Sequence, residues 1–162
     1  MKQILALALL CLSSTMFAQS PTLEAFYNNY INKPEVTKMD LSGWLLNLTF
    51  NSAEEEEEIS KKITRVRVLI MEDANVVPDG EYKKLIHNLE LEQFEPLIQV
   101  RAKGSDRVDG MIRESGTKIT DAILLVHGED NFVFLNVEGH FTQEDLDAIQ
   151  LEFNEDYGEE NE

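Results

Sequence analysis

Residues 119–141 read ITDAILLVHGEDNFVFLNVEGHF, and this stretch decides the fold. Two apolar runs, 119–126 and 132–137, flank the polar segment Gly128, Glu129, Asp130 and Asn131. Apolar runs of strand length around a short Gly/Asp/Asn segment predict a β-hairpin. Both runs carry apolar side chains on both parities. Ile123 and Leu125 share one face, and Ala122, Leu124 and Val126 the other. Phe132 and Phe134 oppose Val133, Leu135 and Val137 in the same way. Strands apolar on both faces belong in the middle of a sheet with cover on both sides.

Working outward, 96–103 and 107–113 read as two further strands with a turn at Gly104, Ser105 and Asp106. In the first, Ile98, Val100 and Ala102 share one parity. In the second, Val108 and Ile112 are expected to point inward. With the hairpin they make a four-stranded antiparallel meander. Residues 64–71, TRVRVLIM, alternate Arg65 and Arg67 with Val66, Val68 and Ile70, a strand pattern. Residues 36–41 alternate weakly. The expectation is an α+β fold: an antiparallel sheet of about five strands, ending in the meander and packed with helices.

Four helices are expected. Pro21 opens one, with Leu23, Phe26, Tyr27 and Tyr30 in a single stripe, and Pro34 stops it. Ser42 is positioned to cap a second, bearing Trp44, Leu45 and Leu48. Tyr82, Leu85, Ile86 and Leu89 mark a third over 81–89, after a loop through Pro78, Asp79 and Gly80. Thr142 and Asp145 stand in the positions of a capping box, opening a fourth with Leu146, Ile149 and Phe153.

Met1 and Lys2, the apolar run 4–12 and a small residue at Ala18 form a signal-peptide pattern, with cleavage after Ala18. The apolar run is too short to span a membrane, and no later one is longer. Domain organisation therefore reads as a leader over 1–18, one domain over 19–153 and an acidic, disordered tail over 154–162. Cys11, the chain's only cysteine, lies in the leader, preceded by Leu9 and Leu10 rather than a small residue. Its removal leaves no thiol for a disulfide, a nucleophile or a metal site. The chain holds 31 acidic and 14 basic residues, a net charge of −17. Such a field repels nucleic acid and anionic lipid and attracts cations or basic partners.

The chemical inventory is short. The sequence has no nucleophile elbow, phosphate loop or dinucleotide fingerprint, and no cofactor is expected. Ser105 fits turn chemistry alone. His127 and His140 flank the last strand, and with Asp130 or Glu138 they are the one zinc candidate, on no recognised local spacing. His87 is expected at the surface, and Asp121 at a solvated strand end. Glu54, Glu55, Glu56, Glu57 and Glu58, followed by Lys61 and Lys62, read as a solvated helix face. The Asn47, Leu48, Thr49 triplet matches a glycosylation pattern, which matters only in a eukaryotic secretory route.

The order of features resembles one family. A leader ends in Phe17 and Ala18, then come a short aromatic helix, the Trp44, Leu45, Leu46 segment, a Glu/Lys linker and the strand from Arg65. The most specific part is Leu135, Asn136, Val137, Glu138 and Gly139, a strand followed by a glycine turn before a last helix. This resembles the small secreted family catalogued as domain of unknown function 4252, from Bacteroidota envelopes. The resemblance implies a periplasmic or outer-membrane-associated protein and brings no activity or functional residues. Many members look like lipoproteins, from which Cys11 departs. The leading expectation is a non-enzymatic module that binds an envelope protein partner. The alternative is a small-ligand or divalent-cation binder, and a hydrolase ranks third.

Overall fold

The computed structural model describes residues 19–43, 61–72, 76–101, 106–142 and 144–145. The leader, the Trp44 helix, the Asn47 triplet, the glutamate run, Ser105, the last helix beyond Asp145 and the acidic tail lie outside the described residues.

Described elements run in the order α1 (Pro21–Tyr30), β1 (Thr37–Ser42), β2 (Ile63–Met71), α2 (Asp79–Leu91), β3 (Phe94–Arg101), β4 (Arg107–Ser115), β5 (Lys118–His127) and β6 (Phe132–Phe141). The strands form one sheet in the order β1-β2-β6-β5-β4-β3, antiparallel throughout. This is the expected α+β class, with six strands rather than five, because the weakly alternating 37–42 segment pairs along β2. The β5–β6 hairpin sits at the centre, and β3 to β6 form the meander.

Both helices cover one face. Leu23, Phe26, Tyr27 and Tyr30 of α1 are buried with Tyr82, Leu85 and Leu89 of α2 against Leu69, Met71, Met111, Ile123, Leu125, Phe132 and Phe134. The Phe26 ring stacks on Phe134 at 5.5 Å and tilts against Phe132 at 5.7 Å. Burying side chains of this size stabilises the fold by about 1.5–3 kcal/mol each. The helices are also tied end to end. Ser20 caps α1 by accepting from the Leu23 N–H at 3.1 Å, and its own hydroxyl donates to Glu92 just past α2. The Thr22 N–H donates to the same carboxylate at 3.0 Å, and the Tyr30 hydroxyl donates to Glu81 at the start of α2.

Three sequence expectations change. Asp79 and Gly80 begin α2 instead of ending a loop, with Pro78 as the extended residue before it, a position that suits proline's fixed φ. In β4 the core side chains are Asp109 and Met111, while Val108 and Ile112 face the other way. Gly139 is not a turn but lies inside β6, opposite Ile63, where the β2–β6 register shifts. A Cβ there would stand 2.3 Å from the Lys62 carbonyl oxygen, so glycine is needed for backbone approach.

Candidate functional site

On the helix-covered face, the apolar row gives way to charge toward the end of β6. Arg67 has the parity of Leu69 and Met71 and is wholly buried. Its Nη1 donates to Glu24 at 2.6 Å, and its Nη2 to Glu138 at 2.7 Å and Asn136 at 2.9 Å. Beside it, Arg65 forks onto Asp40 at 2.9 and 2.7 Å. Further along the sheet, Arg113 of β4 donates twice to Asp121 of β5, at 3.0 and 2.7 Å, and Thr120 adds a hydroxyl at 2.8 Å. Strand register sets the row: Asp40 faces Arg67, Arg65 faces Glu138, Glu138 faces Asp121, and Asp121 faces Arg113. The result is a charge ladder across five strands.

Burial pushes the Glu138 carboxyl up, and Arg67 and Arg65 draw it back only in part, so it stays above the usual range. The Arg65 hydrogen bonds hold Asp40 below its usual range, against the opposing effect of burial. An open cavity of about 560 Å³ lies beside the ladder, lined by Gln19, Asp40, Ser42, Thr64, Arg65 and Glu138. Asp121 is buried and paired, not solvated as expected. Arg67 and Asn136 escaped notice as a site. The available signal was parity, since both continue the rows of Leu69, Met71, Phe132 and Phe134.

The other end of the sheet holds a second cluster. The Tyr82 hydroxyl donates to the buried carboxylate of Asp109, which also takes Arg101 at 2.6 Å. Burial, then this hydrogen bond, pushes the Tyr82 phenol far up. Arg107 forks onto Asp79 and lies over the Tyr82 ring. His127 packs against Tyr82 at 4.6 Å, and its Nε2 lies 3.0 Å from the Val77 carbonyl, so Nε2 carries the proton. His140 is near the far end of the antiparallel partner strand, so the two histidines do not converge. Among the described residues, no three His, Cys, Asp or Glu side chains gather as a metal site. His87 is exposed, as expected.

The sheet's second face has a different character. Val66, Val68 and Ile70, Val133, Leu135 and Val137, and Ala122, Leu124 and Val126 are only half-buried. Neither α1 nor α2 lies over them, since both helices pack on the opposite parity. At the two margins of this face, Met39, Ile98 and Val100 are 45%, 45% and 49% exposed. Cover on both faces was expected, and the described helices supply it on one.

No described helix is long and apolar enough to cross a membrane. No curated protein and no solved structure matches the chain. A family model described as Domain of unknown function (DUF4252) matches residues 27–149, from within α1 through the whole sheet, and the chain belongs to that family.

Proposed function

We propose that this chain is an exported protein-interaction module of the cell envelope, without a catalytic role, and that it binds through the second face of its sheet. One observation carries the reading: an apolar sheet face, with neither described helix over it, on a chain of net charge −17. Its partner is a protein that offers an apolar strip bordered by basic side chains. The apolar strip supplies affinity by leaving water, and the basic border steers encounter and selects against acidic proteins. Export rests on the leader pattern over 1–18.

The buried charges support a structural role. Arg67, Arg65 and Arg113 each already hold a carboxylate, so a ligand entering the ladder has to displace a partner. The same matching weighs against the small-ligand and divalent-cation reading, because the ladder's carboxylates are occupied. Adding calcium or zinc to the full chain tests that alternative. Stoichiometric metal leaves the melting temperature unchanged on the reading advanced here and raises it on the other. For the interaction itself, Met39→Lys places a charge on the face without disturbing the core. It weakens partner binding at least about tenfold, roughly 1.4 kcal/mol, and added salt weakens binding further. Unchanged binding in Met39→Lys and in high salt contradicts the proposal.

A further inference from the structure

Removal of the leader after Ala18 makes Gln19 the first residue of the mature chain. The residue after it is fixed. Ser20 is buried, accepts from the Leu23 N–H at 3.1 Å and donates to Glu92. Gln19 itself is exposed, at the rim of the cavity it lines with Asp40, Arg65 and Glu138. Its side-chain nitrogen Nε2 stands 3.5 Å from Glu138 Oε2. Arg67 takes the other oxygen, Oε1, at 2.7 Å. Oε2 is thus the carboxylate oxygen turned toward Gln19. Burial raises this carboxyl above its usual range, so a proton is held there more readily than on a solvated glutamate.

We propose that Gln19 is a modification site: once N-terminal, it closes on itself to pyroglutamate, with Glu138 relaying the proton. The α-amine nitrogen bonds to Cδ, and the Cδ–Nε2 bond breaks. Nε2 leaves as ammonia, taking one proton from the acid form of Glu138, and the attacking nitrogen returns one proton to the carboxylate. Nothing is oxidised or reduced, and ammonia is the one product released. The nucleophile is the neutral amine. An ordinary α-amino group, with a pKa of about 7.7–8.0, supplies a usable fraction of it near neutral pH. The leaving nitrogen is the atom that Glu138 faces, which is the position of a general acid. The product has no terminal charge, and an aminopeptidase finds no α-amine to hold. The chain acts once on its own end and turns over no substrate. The inference rests on the export reading, through the leader.

Mass spectrometry of the chain recovered from the cells that export it tests the site. The expected mature form begins at Gln19 and is lighter by one ammonia. A mature form that begins elsewhere overturns the leader boundary and the inference together. One that begins at Gln19 and keeps its ammonia overturns the inference alone. Kinetics then isolate Glu138. The chain from Gln19 onward is released by a protease from a removable N-terminal fusion, and loss of ammonia is followed in buffer and in guanidinium chloride. The folded chain should cyclise at least about tenfold faster than the unfolded one, and Glu138→Gln should fall to the unfolded rate. Equal rates in the folded and unfolded wild type overturn the role of Glu138, and that comparison stands even if the variant fails to fold.

Discussion

At the scale of single residues, Arg67 is the most exposed to test. A wholly buried guanidinium is tolerable only while its partners stay in place. Arg67→Met leaves Glu138 buried without its charge partner, and urea unfolding should show a loss of about 3–5 kcal/mol. Replacing both, as Arg67→Met with Glu138→Leu, should recover most of that loss, because an apolar pair needs no desolvation of charge. Acid titration separates two kinds of carboxylate. The Lys62 hydrogen bond, at 2.6 Å, holds Asp145 below its usual range. A depressed pKa stabilises the fold above the unfolded value of about 3.9 and loses that contribution as pH falls through the folded value. The gap between wild type and Asp145→Asn should therefore be widest at neutral pH and close on acidification. Glu138, pushed up by burial, has the opposite sign. Its favourable contribution is fully present below the unfolded pKa and fades as pH rises through the folded value. Wild type should thus lose ground against Glu138→Gln as pH rises, which melts across that window will show. None of this was legible beforehand. Alternation placed Arg65 and Arg67 opposite Val66, Val68 and Ile70, but alternation does not say which face is covered.

At the scale of elements, sequence and structure agree where one periodic stripe meets one core. The four apolar residues of α1 are the four that are buried, and three of the four in α2. Phe26→Ala should cost about 3–5 kcal/mol by opening a cavity against Phe132 and Phe134. The capping box also agrees: the Thr142 N–H donates to Asp145 at 2.8 Å, and the Asp145 N–H to the Thr142 hydroxyl at 3.3 Å. Agreement fails where a strand is apolar on both parities or carries its polar residues inward. β4 reads as amphipathic through Val108 and Ile112, yet its covered face contains Asp109, because Tyr82 and Arg101 satisfy that carboxylate from other elements. Such partners are distant in sequence and leave no local mark. Gly139 belongs here too. Its close approach to the Lys62 carbonyl, with the His140 N–H bonded to that oxygen at 2.9 Å, locks β6 to the start of β2. Gly139→Ala should destabilise by about 1–3 kcal/mol, measured by urea unfolding.

At the scale of the whole molecule, the account rests on an asymmetry. One face of the sheet is closed by two helices and crossed by matched charge, and the other is apolar and half-buried. The hairpin's double-sided hydrophobicity announced that second face, and composition announced the acidic field around it. Neither revealed that the described helices would share one side. The most direct test is site-specific photo-crosslinking in the cells that make the chain. A photoreactive residue is placed at Leu135, central on the face opposite the described helices, and at Lys84, exposed on α2, as the control. The account predicts one dominant basic protein joined to Leu135, none joined to Lys84, and loss of the adduct in Met39→Lys. Crosslinks from Leu135 confined to the same chain would contradict it, because the face would then be closed from within.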